Sequence, residues 1–281
     1  MGQTSPPGRL LALVELLGDE RERIRSAAVD ALRREAPGPH VLRELVEGIE
    51  DPQTRTRARQ GVAELEARAL ERELEELVAR GADLETGAFI LARFQYPDLD
   101  VAAYRATLDE MAQQLRARLQ PPPSAVAACA TLRRFIHEEL GFKGNVESYA
   151  DPENVFLNRV LDRRTGIPTS LACIYLLVAR RLGLALEAIN LPLHFLVRFS
   201  DAHGETFIDA FAKGRFLTRA DCREFLREAG LEDRPEYLVP ASDRAVLARL
   251  ARGLVASYRS SGAPRAAERF ERCVEIVDED D

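Results

Sequence analysis

Tryptophan is absent from this 281-residue chain, methionine occurs twice, and there are only four cysteines and four histidines. Cys129, Cys173, Cys222 and Cys273 lie far apart and form no CxxC pair, so neither a thiolate zinc site nor a disulfide framework is expected. With His40, His137, His194 and His203 as the only imidazoles, no metal site is expected, and no cofactor motif stands out. Long apolar runs are missing as well. None approaches the roughly 18 residues needed to cross a bilayer, and no signal-like segment opens the chain, so a cytoplasmic protein without membrane association is expected. The opening MGQTSP has Pro6 where a myristoylation signal wants Ser or Thr. Positive charge is in deficit: the net charge of −7 argues against a broad nucleic-acid surface, although Arg55, Arg57 and Arg59 form a local basic run.

What is present suits an ordinary globular protein, 46% hydrophobic and 30% charged, and long enough for one large or two modest domains. Residues 10–31 and 42–63 match at an offset of 32, pairing Leu10 with Leu42, Val14 with Val46, Asp19 with Asp51 and Arg25 with Arg57. That is the period of a helical hairpin repeat, and each copy resembles a HEAT-type repeat. Two copies are too few for a long solenoid, because each hairpin needs neighbours to bury its face. The pair reads either as a helical layer beside the next domain or as a partner-binding array.

A separate charged helix is expected over 65–80, ended by Gly81, followed by helices over 84–94 and 101–119. The prolines at 121–123 are a stiff break. Ser124 then caps a helix that Gly141 closes. The next segment is loop-like, rich in Gly, Asn, Asp and Pro. Pro168 suits the first turn of a helix, where its missing N–H costs nothing. Leu171, Ile174, Tyr175, Leu176, Leu177 and Val178 make that helix apolar on nearly every side, so it should be the buried central helix. Strand-like runs follow at 184–189, 194–200 and 205–211, the last two joined by a short loop at 201–204. After residue 217 the chain returns to helix, and 243–277 resembles one tetratricopeptide-like pair ending in a frayed acidic DEDD.

The chemistry centres on the hairpin. If Ser200 opposes Glu205, then Leu196 opposes Asp209, and Asp209 becomes the diagonal neighbour of His194 on one face. An imidazole oriented by a carboxylate across two strands is the base half of a Cys-His-Asp site. The nucleophile candidates are Thr169 and Ser170, whose ordinary role at that position is helix capping, and Cys173, which lies inside an apolar helix. Asn145, Asn154, Asn158 and Pro168 are candidate pocket-lining residues. Arg198 shares the alternation face of His194.

The run GFKGNVESYADPENVFLNRVLDRRTGIPTSLACIYLLVARRLGL, followed by NLPLHFLVRF and FIDAF, resembles the SirB family of transglutaminase-like proteins, as does the earlier LARFQYPDLDVAAYRATLDEMA. Leu193 stands where that family usually has Gly before the His, and Ala210 where it has Pro after the Asp. The resemblance covers about residues 84–221 and implies a transglutaminase-like (papain-like) core there with a small antiparallel sheet, followed by a helical, tetratricopeptide-like tail at 222–281; with the HEAT-like helical region at 1–83 read from the repeat, an α+β protein is expected. In active transglutaminase-like enzymes the cysteine begins the central helix. Ala172 and Gly183 each align that slot with Pro168, while His194 and Asp209 match the other two members. Cys173 is rotated from the slot by roughly 140° at 3.6 residues per turn. The resemblance therefore implies a regulatory or accessory protein, with related domains in ubiquitin-ligase adaptors. The expected activity is a catalytically degenerate pocket at His194 and Asp209 that binds a peptide or protein segment. The alternative is a hydrolase or acyltransferase acting on amide bonds through Ser170, Thr169 or Cys173.

Overall fold

The computed structural model describes residues 7–35, 39–119, 124–202 and 204–278. The MGQTSP opening, the prolines at 121–123, His203 of the hairpin loop and the end of the acidic terminus lie outside the described residues. The chain divides into two compact units, Met1–Glu73 and Leu74–Asp281.

In the first unit the offset-32 match becomes two successive helical pairs, α1 (Pro7–Leu17) with α2 (Glu22–Glu35) and α3 (Pro39–Glu47) with α4 (Pro52–Ala79). Matched positions meet in one core, where Val14 and its counterpart Val46 pack with Leu17, Leu32, Ala58 and Val62. The repeated arginines tie down the turns. Arg25 Nη1 donates to Asp19 O at 2.8 Å, and its counterpart Arg57 donates to Gly18 O at 3.2 Å. Arg55 donates to Ile49 O at 2.9 Å and Arg59 to Glu47 Oε1 at 2.9 Å, so the basic run is engaged with the protein itself. The break expected near residue 64 is absent and α4 runs on to Ala79. Gly61 is the sole weak helix former there, tolerable at about 1 kcal/mol. A Cβ at Gly61 would lie 3.0 Å from Leu17 Cβ, so its lack of a side chain serves the close approach of α1.

The second unit begins its own helices with α5 (Leu84–Arg93), α6 (Val101–Arg116) and α7 (Ala125–Arg133). Short polar side chains satisfy their first amides: Asp83 accepts from Thr86 N at 2.8 Å, Asp100 from Ala103 N at 3.1 Å and Ser124 from Ala127 N at 3.2 Å. α7 continues into a π-helical segment, Arg134–Glu139. A two-residue parallel ladder, β1 (Lys143–Gly144) with β2 (Thr165–Gly166), brackets the loop that holds α8 (Leu157–Arg163). Then comes α9 (Pro168–Leu182), buried at every position from Pro168 to Ala179 and closed by Gly183 at φ +72°. It is the central helix that its all-round apolar character requires.

Five strands form an antiparallel sheet: β3 (Leu186–Ile189), β4 (Leu196–Asp201), β5 (Gly204–Asp209), β6 (Arg215–Leu217) and β7 (Pro240–Ala241), in the order β6-β5-β4-β3-β7. Ser200 pairs with Glu205, which fixes the hairpin register. The two outer strands, β6 and β7, have two or three residues each and carry too little alternation to be seen in sequence. α9 packs on β3 and β4. On the sheet's other side Ile189, Leu196 and Phe207 join Cys222 and Leu226 of α10 (Arg219–Glu228). α11 (Asp243–Ser260) and α12 (Pro264–Val277) complete the unit. α11 packs on α5 and α9 as well as on α12, so the tail lies in the same compact unit as the sheet.

Candidate functional site

Simple alternation would set His194 on β4, but that strand starts two residues later, at Leu196. Residues 191–194 form a turn instead. His194 N donates to Leu191 O at 3.0 Å, and Leu193 sits in the left-handed region at φ +63°. The turn aims the imidazole so that Nε2 lies 2.9 Å from Asp209 Oδ2. Asp209 ends β5, and its Oδ1 accepts from Phe211 N at 3.0 Å and Ala212 N at 2.9 Å. Both carboxylate oxygens are thereby fixed. Burial opposes the charge on Asp209, but the bond to His194, that group's charge and the two amides outweigh it and hold the carboxyl below its ordinary value. With Nε2 turned to Asp209, Nδ1 is the nitrogen left for a ligand.

The imidazole opens on a cleft of about 360 Å³. Pro168 and Thr169 at the start of α9 line it, together with Tyr149 and Leu193. α11 forms the facing wall through Arg249, Arg252, Gly253, Ala256 and Ser257. Pro168 stands at the first turn of α9 with no hydroxyl, thiol or N–H to offer.

The nucleophile candidates separate clearly by environment. Ser170 Oγ accepts from Ile167 N at 3.1 Å and donates to Asn154 O at 2.5 Å, so the hydroxyl closes the start of the helix and is 1% exposed. The cap leaves no room beside it, since a Cβ at Gly166 would come within 2.6 Å of that oxygen. Cys173 is 1% exposed, and burial pushes its thiol up to about 12. At neutral pH it is a packed, protonated side chain. Thr169 reaches the cleft, and among the described residues its hydroxyl has no hydrogen bond.

Sequence comparison bears directly on this arrangement. The Transglutaminase-like superfamily profile matches residues 102–252, more than half of the chain, with His194 and Asp209 both inside the match. The chain belongs to the transglutaminase-like superfamily. A UPF0162 protein of Xylella fastidiosa strain 9a5c is 36% identical over 201 residues, covering 69% of this chain and 72% of that one. The UPF0162 protein of Pseudomonas aeruginosa is 36% identical over 173 residues, 60% of this chain and 63% of its own length. Mouse F-box only protein 21 is 45% identical over 95 residues, which is 31% of this chain and 15% of that protein. No solved structure gives a significant match.

Within this transglutaminase-like unit several expected pocket residues lie elsewhere. Asn145 Nδ2 donates to Asn154 Oδ1 at 3.0 Å, and Asn154 Nδ2 donates to Ser148 O at 2.7 Å, so both asparagines hold the loop after β1 and neither lines the cleft. Asn158 is 2% exposed and buried within α8. Arg198 lies on β4 beyond the cleft, where it donates to Glu187 Oε2 at 2.8 Å and Leu238 O at 3.1 Å. Asn145, Asn154 and Arg198 answer local backbone or ionic needs, whereas the buried Asn158 Oδ1 has no partner among the described residues, and composition alone cannot tell any of them from a residue that faces a ligand. Conversely, nothing in their own helix marks Arg249 and Arg252 as cleft residues. Tyr149 and Leu193 carried a signal, as large apolar side chains in a polar loop and before a histidine; they are 51% and 70% exposed. Among the described residues no group of three His, Cys, Asp or Glu side chains could hold a metal ion, and no helix is long and apolar enough to cross a membrane.

Proposed function

We propose that this transglutaminase-like chain is a binding module whose cleft at His194 and Asp209 receives a peptide or protein segment without thiol chemistry. The observation that carries the reading is Pro168. It stands at the start of the central helix, where the family pattern puts the nucleophile, and lines the same cleft as His194. Cys173 cannot substitute for it, being buried and held protonated. A degenerate site of this kind fits a SirB-type regulatory or accessory protein of the cytoplasm. HEAT-like helical pairs before it and a tetratricopeptide-like pair after it would add surfaces for partners.

The decisive experiment is thiol labelling of the folded protein at neutral pH. Cys173 is expected to react no faster than the protein unfolds, and Cys173→Ser is expected to leave peptide binding unchanged. Rapid stoichiometric labelling of Cys173 that His194→Ala abolishes would instead make this a thiol enzyme.

One observation favours a second reading, a hydrolase or acyltransferase acting on amide bonds through Thr169 with His194 and Asp209. Thr169 is among the residues that line the cleft, and the start of α9 is capped by Ser170, not by Thr169. Turnover of a fluorogenic amide by the native chain, lost in Thr169→Val and in His194→Ala, would establish it.

A further inference from the structure

The cleft is basic in a protein whose net charge is −7. Its lining includes Arg249, Arg252 and His194 and no carboxylate among the described residues. Two of these three groups already have a carboxylate partner. Arg252 pairs with Asp278, and His194 pairs with Asp209. Arg249 is different. It is half-buried on α11, and among the described residues it has no ion pair or hydrogen bond. Burial works most strongly against its charge, with Tyr149 acting the other way and the neighbouring Arg252 adding to the cost, though a guanidinium stays protonated at neutral pH. A desolvated and unpaired cation facing a concave surface gains most from an anion that enters with it.

We infer that the cleft recognises a peptide segment through a carboxylate that pairs with Arg249. This rests on the reading of the cleft as a peptide site and names what that site selects. The charge count selects a monoanion: one uncompensated guanidinium matches one carboxylate, whereas a phosphate dianion would lack a second free cation. The planar fork of arginine suits a carboxylate in bidentate geometry. Tyr149 and Leu193 give the mouth an apolar rim, which fits a peptide with an apolar residue beside the acid and not a polar free metabolite. Remote negative charge on the rest of the protein would repel an extended polyanion such as nucleic acid.

The carboxylate has two possible sources, an acidic side chain or a chain terminus. Pentapeptide pools carrying an uncharged BODIPY label, randomised among uncharged residues except at the central position, separate them by fluorescence polarisation with the full chain. One pool carries central Asp with an amidated end, a second central Asn with a free terminal carboxylate, a third central Asn with an amidated end, and a fourth central phosphoserine with an amidated end. At least one of the two carboxylate pools is expected to bind roughly tenfold tighter than the neutral pool. Arg249→Gln is expected to erase that preference and Arg249→Lys to keep part of it, both with an unchanged circular dichroism spectrum. Equal binding of the neutral pool, tightest binding of the phosphoserine pool, or a preference that survives Arg249→Gln overturns the inference. If the neutral pool binds and His194→Ala weakens it, the peptide site stands and only the carboxylate claim falls. If no pool binds up to millimolar concentration, both fall.

Discussion

Leu193 combines a strained backbone with a place at the mouth of the cleft. A left-handed backbone costs an ordinary residue roughly 1–2 kcal/mol, a cost that glycine would not carry. The side chain is 70% exposed, so little burial offsets that cost. Leu193→Gly is expected to raise stability by up to about 1 kcal/mol after the greater chain entropy of glycine is subtracted. Thermal melts would check it, and a drop in Tm of several degrees would count against the strain argument. His137 offers a second test. It is 9% exposed, its Nδ1 lies 2.7 Å from Phe142 O, and its Nε2 has no partner. Burial depresses its pKa from the ordinary value of 6.5. The unfolded chain therefore takes up a proton at this residue below about pH 6.5 while the folded protein resists it. The contribution of His137 is fully present above that pH and is lost as pH falls through the depressed value. Comparing urea midpoints between pH 7.5 and 5, His137→Gln should show a shallower loss than the native chain. An identical slope would mean that His137 is not buried in its neutral form.

At the scale of elements, the two arginines that end α9 do more than complement its dipole. Arg180 Nη1 donates to Asp243 Oδ2 at 2.8 Å, and the same oxygen accepts from Leu84 N at 2.9 Å. One carboxylate thus joins the end of α9 to the starts of α5 and α11. Arg181 Nη1 reaches Glu85 Oε2 at 2.6 Å, and Arg181 Nε reaches Asp109 Oδ1 at 2.5 Å, adding α6. Asp243→Ala removes a charge-assisted bond to a first-turn amide and half of an ion pair that solvent partly screens. A loss of about 1–2 kcal/mol in denaturant unfolding is expected. Asp243→Asn, which keeps an acceptor for Leu84 N, should recover part of it.

For the whole molecule, the consequential fact is that α11 is both core and cleft wall. Val246, Leu247, Leu250, Ala251 and Leu254 are buried, while Arg249 and Gly253 of the same helix line the cleft. A chain ending at residue 242 would expose the surfaces of α5 and α9 that α11 covers. Such a protein is expected to bind a hydrophobic dye and aggregate, and to lose binding at the cleft at once. A monodisperse truncated form with native-like melting would show the tail to be dispensable to the fold. Within the first unit, the two matched helical pairs share one core, so a disruptive change at either Val14 or Val46 should unfold both pairs together.

Much of this was legible without coordinates because it is written in local chemistry. Helix starts follow from Asp83, Asp100, Ser124 and Ser242, whose short side chains accept from the first amides wherever the chain goes next. The central helix follows from an apolar surface with no polar side to expose. The hairpin register follows from its loop, and it brings β4 and β5 together whatever packs around them. The approach of His194 to Asp209 needed only that register and a short turn. Which polar residues face the cleft could not be read this way. Asn145 and Asn154 look like site residues in sequence, yet their amides answer unpaired groups of their own loop. Arg249 looks like any surface arginine, yet α11 returns from far along the chain to set it opposite Pro168 and His194. Sequence determines what each residue can bond to nearby; only the tertiary structure decides which group is left without a partner and faces a cavity, because that depends on contacts between segments distant in the chain.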